Sequence, residues 1–273
     1  MIATTLLAIA LVLYLGASGT LVASFAGGRG VASRTGAGMT AGAVVLHGLA
    51  LLAFAWQHGE LPLVGLAPSL ITLAFLIALF LLATALTAES RPIGLVLVPL
   101  IAVLLAVALV LGVVPTGEAV AFRGLWFYLH VVLAFVGYAG LAIAFAAGLL
   151  YLLQFRELKD KRLGRIYRFF PSLPVLDELN RKALTIGFPA LTLALLLGGA
   201  WSARFQPSFG LSEPQVIWGI ITWIVFAVLL ALRSYQSADV QRRAALGTVL
   251  GFVLVVVSYL MLRVFITGGR VFL

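Results

Sequence analysis

The sequence predicts an all-α fold, a polytopic integral membrane helix bundle of about eight transmembrane helices with both termini outside the cytoplasm. Three observations predict it. The 273 residues are 63% hydrophobic and 10% charged, with a mean hydropathy of +1.17, whereas a soluble domain carries roughly a quarter charged residues. The apolar residues gather in eight runs near the length that crosses about 30 Å of hydrocarbon. The basic residues fall mainly in alternate connections, as topology signals do. No long stretch alternates at period two, which argues against a β-barrel.

The runs fall at 2–26, 37–56, 67–88, 93–114, 125–154, 183–201, 213–232 and 243–267. The first has no positive residue before it, and Arg29 and Arg34 follow it. That order suits a first transmembrane helix starting outside, not a signal peptide. The second carries His47 at its middle, and the third and fourth are almost wholly apolar. The fifth opens with aromatic residues and is long enough to project into the cytoplasm. The last encloses Arg263. The whole chain, 1–273, reads as one membrane domain, with four N-terminal helices in 1–114 and the rest in 125–267.

Of the 18 Lys and Arg, 14 map to inside connections and four to outside ends, namely Arg123, Arg204, Arg263 and Arg270. This bias orients the bundle and accounts for the net charge of +9 without nucleic acid, for which no motif is present. The one long connection, 155–182, contains RELKDKRLGRIYRFF and then PSLPVLDELNRK. It reads as a helical extension followed by an interfacial segment. Its cations with Tyr167, Phe169 and Phe170 suit an anionic headgroup layer. A solvated topology anchor or a partner-docking surface remain the other readings.

The absence of cysteine excludes disulfides, thiol redox chemistry, zinc–thiolate sites and thioether-linked haem on this chain. No Walker loop, catalytic triad or paired-carboxylate site is legible, so no enzymatic activity is expected. All nine acidic residues map to loops or helix ends. A coupled transporter usually places a carboxylate at midplane, so a small-solute or cation permease ranks third among the functions considered.

The histidines are more informative. His47 lies about ten residues from either end of its run, near the bilayer centre, where lipid offers a polar ring no partner. It is either an interhelical hydrogen-bond donor or acceptor, or a ligand. His130 lies near the outer end of the fifth run, in LWFYLHVVLAFVGYAG. Trp126, His130, Ala134, Gly137 and Tyr138 recur at about four-residue spacing and share a stripe. Small residues beneath the histidine would leave room for a flat object edged by aromatic rings. The other reading is an interfacial aromatic belt. His58 maps to an outside loop as a solvated residue or a neighbour of the outer mouth.

Two neutral imidazoles without cysteine suit haem iron, copper or zinc. The aromatic content favours a porphyrin over a bare ion. The four outer arginines are the cations available to haem propionates. Arg263 is the most interesting of them, though it could equally snorkel to the headgroups.

LHVVLAFVGYAGLAIAFAAGLLYLL, PSLPVLDELNRKALTIGFPALTLALLLGGAW and IWGIITWIVFAVLLALR followed by RRAALGTVLGFVLVVVSYLMLR resemble, in order and spacing, segments of the cytochrome c assembly family, the CcsA/CcmC/HemX-like membrane proteins. The resemblance covers about 125–265 and is closest to the short HemX/YpjD-like branch. It implies a haem-binding, haem-handling protein of the bacterial inner (plasma) membrane, multi-pass, holding haem b non-covalently. In that resemblance His130 matches an outer haem-ligating histidine and His47 a membrane-embedded one. Trp126, Tyr138, Trp201, Trp218 and Arg263 complete the expected cofactor-binding set. The implied partners are membrane lipid, haem and other cytochrome c assembly components.

Two features depart from the family pattern. The family's outer loop is rich in tryptophan and ends in a WDPKE-like run. Here SARFQPSFGLSEPQVIWG is flanked by Trp201 and Trp218, with Glu213-Pro214-Gln215 as the nearest match. A second outer histidine is expected after the last helices, and SYLMLRVFITGGRVFL has none. These departures motivate a second function, a HemX-like regulator or scaffold that affects tetrapyrrole synthesis without delivering haem.

Overall fold

The computed structural model describes residues 2–27, 34–85, 92–115, 124–161, 164–205, 214–232 and 238–261. Among the described residues all regular structure is helical. The helices are α1 (Ile2–Ala26), α2 (Arg34–His58), α3 (Leu66–Ala85), α4 (Gly94–Leu111), α5 (Leu125–Lys159), α6 (Arg165–Phe169), α7 (Leu173–Phe205), α8 (Pro214–Leu232) and α9 (Ala238–Met261). Seven of them are long and apolar enough to cross a membrane, and α8 adds the apolar stretch Val216–Ala231. The polytopic helix bundle expected from the sequence is therefore what forms.

The chain divides into two compact units. One holds α1 to α4 with the end of α5, α6 and the first residues of α7; the other holds most of α5 and α7 with α8 and α9. In the first unit α1 packs on α2 and α4, and α3 on α4. The buried face of α1 is Ala3, Leu7, Ala10, Tyr14 and Ala17. This is a seven-residue repeat with alanine at every seventh position. In lipid, where apolar surface gains little by leaving its solvent, such small residues let helices approach closely and gain van der Waals contact. Exposed apolar side chains such as Trp56 and Val110 are the expected counterpart on the lipid side. Gly59 ends α2 in the left-handed region, at φ +68°, and its N–H donates to the Ala55 carbonyl at 2.9 Å.

In the second unit α5 and α7 meet backbone to backbone. A Cβ placed on Gly140 would lie 2.9 Å from the Ala183 carbonyl oxygen and 3.0 Å from Gly187 Cα. Deeper along the same pair, Asn180 Nδ2 donates to the Ala144 carbonyl, and Thr248 Oγ1 lies 3.5 Å from Asn180 Oδ1. Asn180 and Thr248 are buried, so this interhelical bonding meets the demand that lipid cannot.

The structure bears out one expected boundary and changes another. The fifth helix does extend past its apolar run, to Lys159, and at 35 residues it spans about 52 Å. The expected interfacial segment PSLPVLDELNRK is instead mostly the start of α7, which runs unbroken from Leu173 to Phe205 through Pro189. The charges of Asp177, Glu178, Arg181 and Lys182 hid this continuation from an apolar-run reading. Arg181 and Lys182 pair with Glu178 at i,i+3 and i,i+4, at 2.7 and 3.4 Å, the spacing that supports a helical turn.

Candidate functional site

His130 sits in the second turn of α5, and its ring is half-buried against α7. Nδ1 lies 2.7 Å from the Ala194 carbonyl oxygen. A carbonyl can only accept, so Nδ1 carries the proton and donates it. In the neutral ring the lone pair is then on Nε2, which makes no hydrogen bond among the described residues. This is how metal-binding histidines are oriented, with one nitrogen donating to a backbone carbonyl and the other free for the metal.

Helix α7 receives the ring because its facing position is glycine. A Cβ on Gly198 would stand 2.6 Å from His130 Cε1 and 2.8 Å from Nδ1. Ala194, Gly198 and Trp201 follow one another at i, i+4 and i+7 and so share a face. Trp201 meets Phe127 of α5 at 6.0 Å between ring centroids. Sequence reasoning missed Ala194 and Gly198. The signal available was the small pair in LLLGGAW, one turn before a tryptophan.

The stripe expected on α5 does not stay together. Gly137 shares the His130 face, seven residues on, and α7 fills the space beside it, since a Cβ there would be 3.0 Å from Leu191 Cβ. No room for a flat ligand is left at that position. Tyr138 lies about 80° further round the helix and stacks on Trp218 of α8 at 5.0 Å. Trp218 in turn meets Tyr259 of α9 at 5.1 Å and donates from Nε1 to the Val255 carbonyl at 3.2 Å. Trp126 is 54% exposed. Two clusters result, His130–Phe127–Trp201 on α7 and Tyr138–Trp218–Tyr259 on α8 and α9.

His47 is fully buried in the first unit. Its Nδ1 is 3.5 Å from the Tyr14 hydroxyl, and Tyr14 and Phe75 approach its ring edge-on at 6.0 and 5.3 Å. Phe75 also covers Gly48, where a Cβ would come within 3.2 Å of its Cζ. Nε2 is buried without a hydrogen bond of normal geometry, although the Ile71 backbone acts on the ring. The hydroxyl partner foreseen for a midplane histidine is thus present at the long limit of a hydrogen bond, and one nitrogen stays orphaned. His58 is the exposed last residue of α2, tilted over Phe54 at 4.6 Å.

Arg204 is exposed in the last turn of α7. Arg123, Arg263, Arg270 and Glu213 lie outside the described residues. Among the described residues no group of three or more His, Cys, Asp or Glu could hold a metal ion. A bare ion needs about four protein donors, whereas haem brings four of its own and asks the protein for one or two. The donor set therefore fits a haem better than a bare ion. At His130 Nε2 and the half-exposed ring would suit a ligand to haem iron. At His47 Nε2 offers a lone pair only if the ring proton sits on Nδ1, and Tyr14 and Phe75 flank the ring.

The family described as "Cytochrome C assembly protein" matches residues 40–268, which include His47, His58 and His130. The chain is 30% identical over 155 residues to the cytochrome c biogenesis protein CcsA of Guillardia theta, covering 51% of each chain. It is 29% identical over 140 residues to that of Chlamydomonas reinhardtii, covering 51% of this chain and 38% of that one. It is 29% identical over 162 residues to that of Parasynechococcus marenigrum (strain WH8102), covering 51% and 52%. The chain spans about half the length of the curated relatives it matches, or less. These relatives give no support to the HemX/YpjD-like branch. The helical bundle, the ordered segments of α5 to α9 and a family match over most of the chain agree: the protein belongs to the cytochrome c assembly protein family.

Proposed function

We propose that the protein holds haem b non-covalently within the membrane as a component of cytochrome c assembly, with His130 as an axial ligand. The carrying observation is the His130 ring, whose Nδ1 is committed to the Ala194 carbonyl and whose Nε2 is free. His47 is the second proposed donor, on the strength of its orphaned Nε2. Haem, when bound, would supply an iron centre that accepts imidazole ligands. The protein's part is to orient the two rings, to line the His130 site with Phe127 and Trp201, and to offer Arg204 and Arg263 to the propionates. Trp126, exposed one turn before His130, would edge the site, and Tyr138 and Trp218 brace α5 against α8. The protein holds and orients its cofactor and catalyses no conversion of it.

The proposed setting is a bacterial inner membrane with both chain termini outside, so that His130 faces the outer leaflet and the other assembly components act there. The purified protein should show a Soret band. His130→Ala should abolish or strongly shift it, and His47→Ala should lower haem content. A colourless protein that does not respond to added haemin refutes the reading. The tryptophan-free stretch between Trp201 and Trp218 supports an alternative, a HemX-like regulator. In that case deletion of the gene would change the level of an early haem-pathway enzyme and leave cytochrome c normal.

A further inference from the structure

The basic connection after α5 was expected to lie in the headgroup layer through its aromatic residues. Two of those aromatics turn out to face protein, while Tyr167 is exposed. Phe169 and Phe170, at the end of α6, are buried. They pack on Phe25 of α1, edge-on at 5.2 Å and stacked at 5.8 Å. Phe25 belongs to the last turn of a 25-residue membrane helix, which spans about 37 Å. It therefore sits where hydrocarbon meets headgroups, and it holds α6 at that depth.

The other end of α6 is pinned as well. The N–H of Tyr167 donates to Glu157 Oε2 of α5 at 2.8 Å, and Gly164 lies so close to that carboxylate that a Cβ would meet Oε1 at 2.8 Å. The turn between them places Lys161 at φ +53°, a conformation that non-glycine residues rarely adopt. The connection is thus folded back and fixed at both ends by protein contacts.

Three of its cations are left over among the described residues. Arg156, Lys159 and Lys161 are exposed and make no ion pair among the described residues. The sequence adds Arg162, Arg165 and Arg168, so residues 155–170 carry six Lys and Arg against Glu157 and Asp160. One of those two carboxylates is already engaged as the partner of the α6 backbone. By contrast Arg181 and Lys182 of α7 are paired with Glu178.

We infer that the end of α5 and α6 form a preorganised cationic shelf that binds the phosphate headgroups of anionic phospholipids. Two observations select lipid over a soluble acidic partner: the depth set by Phe25, and the exposed Arg156, Lys159 and Lys161 at the same end of the membrane helices. The shelf is independent of haem binding. Its fixed form distinguishes it from the diffuse attraction that any juxtamembrane basic run would have.

The test uses the full chain purified in non-ionic detergent and titrated with dioleoyl phosphatidylglycerol, dioleoyl phosphatidylcholine or soluble glycerol phosphate, with bound lipid counted by native mass spectrometry. Phosphatidylglycerol should bind in preference to the other two. Each cation removed should weaken it about fivefold, so Lys159→Gln with Lys161→Gln should weaken it about 25-fold. Lys182→Gln, in the paired cluster, should change it less than twofold. Glu157→Ala gives the decisive sign. It raises the net charge by one, so diffuse attraction would tighten binding about fivefold, whereas loss of the α6 anchor should weaken it at least threefold. Phe25→Leu keeps the charge and should also weaken binding, which guards against misreading a poorly folded Glu157 variant. Tighter binding by Glu157→Ala, equal losses in Lys182→Gln, or no preference between the two lipids overturns the inference. Binding of polyglutamate without lipid preference would overturn it in favour of a protein partner.

Discussion

Gly198→Ala should dislodge the His130 ring while leaving the fold intact. Non-bonded carbons settle at about 3.5–4.0 Å, yet the new Cβ would stand 2.6 Å from Cε1 and 2.8 Å from Nδ1. The ring must therefore retreat by roughly 1 Å, at carbon contact distance. From its 2.7 Å start, the Nδ1–Ala194 bond would stretch past the limit for a hydrogen bond. That loss costs about 1 kcal/mol of stability. Alanine in a helix interior returns about 1 kcal/mol relative to glycine, so the net change in stability is near zero. The ligand geometry has no such compensation. Losing the partner that orients a metal-binding histidine costs about 10–100-fold in affinity. Gly199→Ala is the control, because its Cβ meets nothing within 4 Å. Both variants should melt close to wild type in detergent. Haemin titration followed at the Soret band should show weaker binding in Gly198→Ala alone. Equal haem affinity in the two variants would refute the claim that Ala194 and Gly198 set the His130 ligand geometry.

Gly140→Ala should destabilise the protein by about 1–3 kcal/mol, because the opposing atoms are backbone of α7; detergent unfolding against Gly38→Ala, whose Cβ meets open space, checks this. Asn180→Leu should cost about 1 kcal/mol by removing the bond to the Ala144 carbonyl, with unchanged haem content. Tyr14→Phe should alter any spectral feature that depends on His47 and leave those of His130→Ala-sensitive bands unchanged, since Tyr14 touches only the former. Reporter fusions in the connection after α5 should read cytoplasmic, and an extracytoplasmic signal there would overturn the topology.

Much of the bundle was legible because lipid imposes it. A run of about 20 apolar residues has few options other than a spanning helix. The α1 boundaries agree to the residue with the first run. The start of α7 was not legible, because its first turns carry Asp177, Glu178, Arg181 and Lys182 and look like a loop to a hydropathy reading. Nor was the arrangement about His130. Four-residue spacing correctly put Gly137 on the His130 face but could not say which helix lies over it. The identity of that neighbour, α7, decides that the small residues of α5 make a helix contact instead of a ligand pocket. The same limit applies to Tyr138, whose 80° offset from His130 becomes meaningful only once Trp218 is found beside it.

The two histidines differ in a way that no spacing argument could reach. His130 faces a carbonyl, which has no proton to give, so its neutral tautomer is settled and Nε2 always presents a lone pair. His47 faces a phenol, which can donate or accept. If Tyr14 donates, Nδ1 takes the hydrogen bond and the proton sits on Nε2. If Tyr14 accepts, the proton moves to Nδ1 and Nε2 becomes a donor of its lone pair. His130 would therefore present its lone pair to a haem iron as it stands, because the carbonyl that accepts its N–H cannot change role. The His47 site presents a lone pair at Nε2 only in the second case, and Tyr14 and Phe75 flank its ring in either. On the proposed haem binding, occupancy of His47 would depend on which way the Tyr14 hydrogen bond runs.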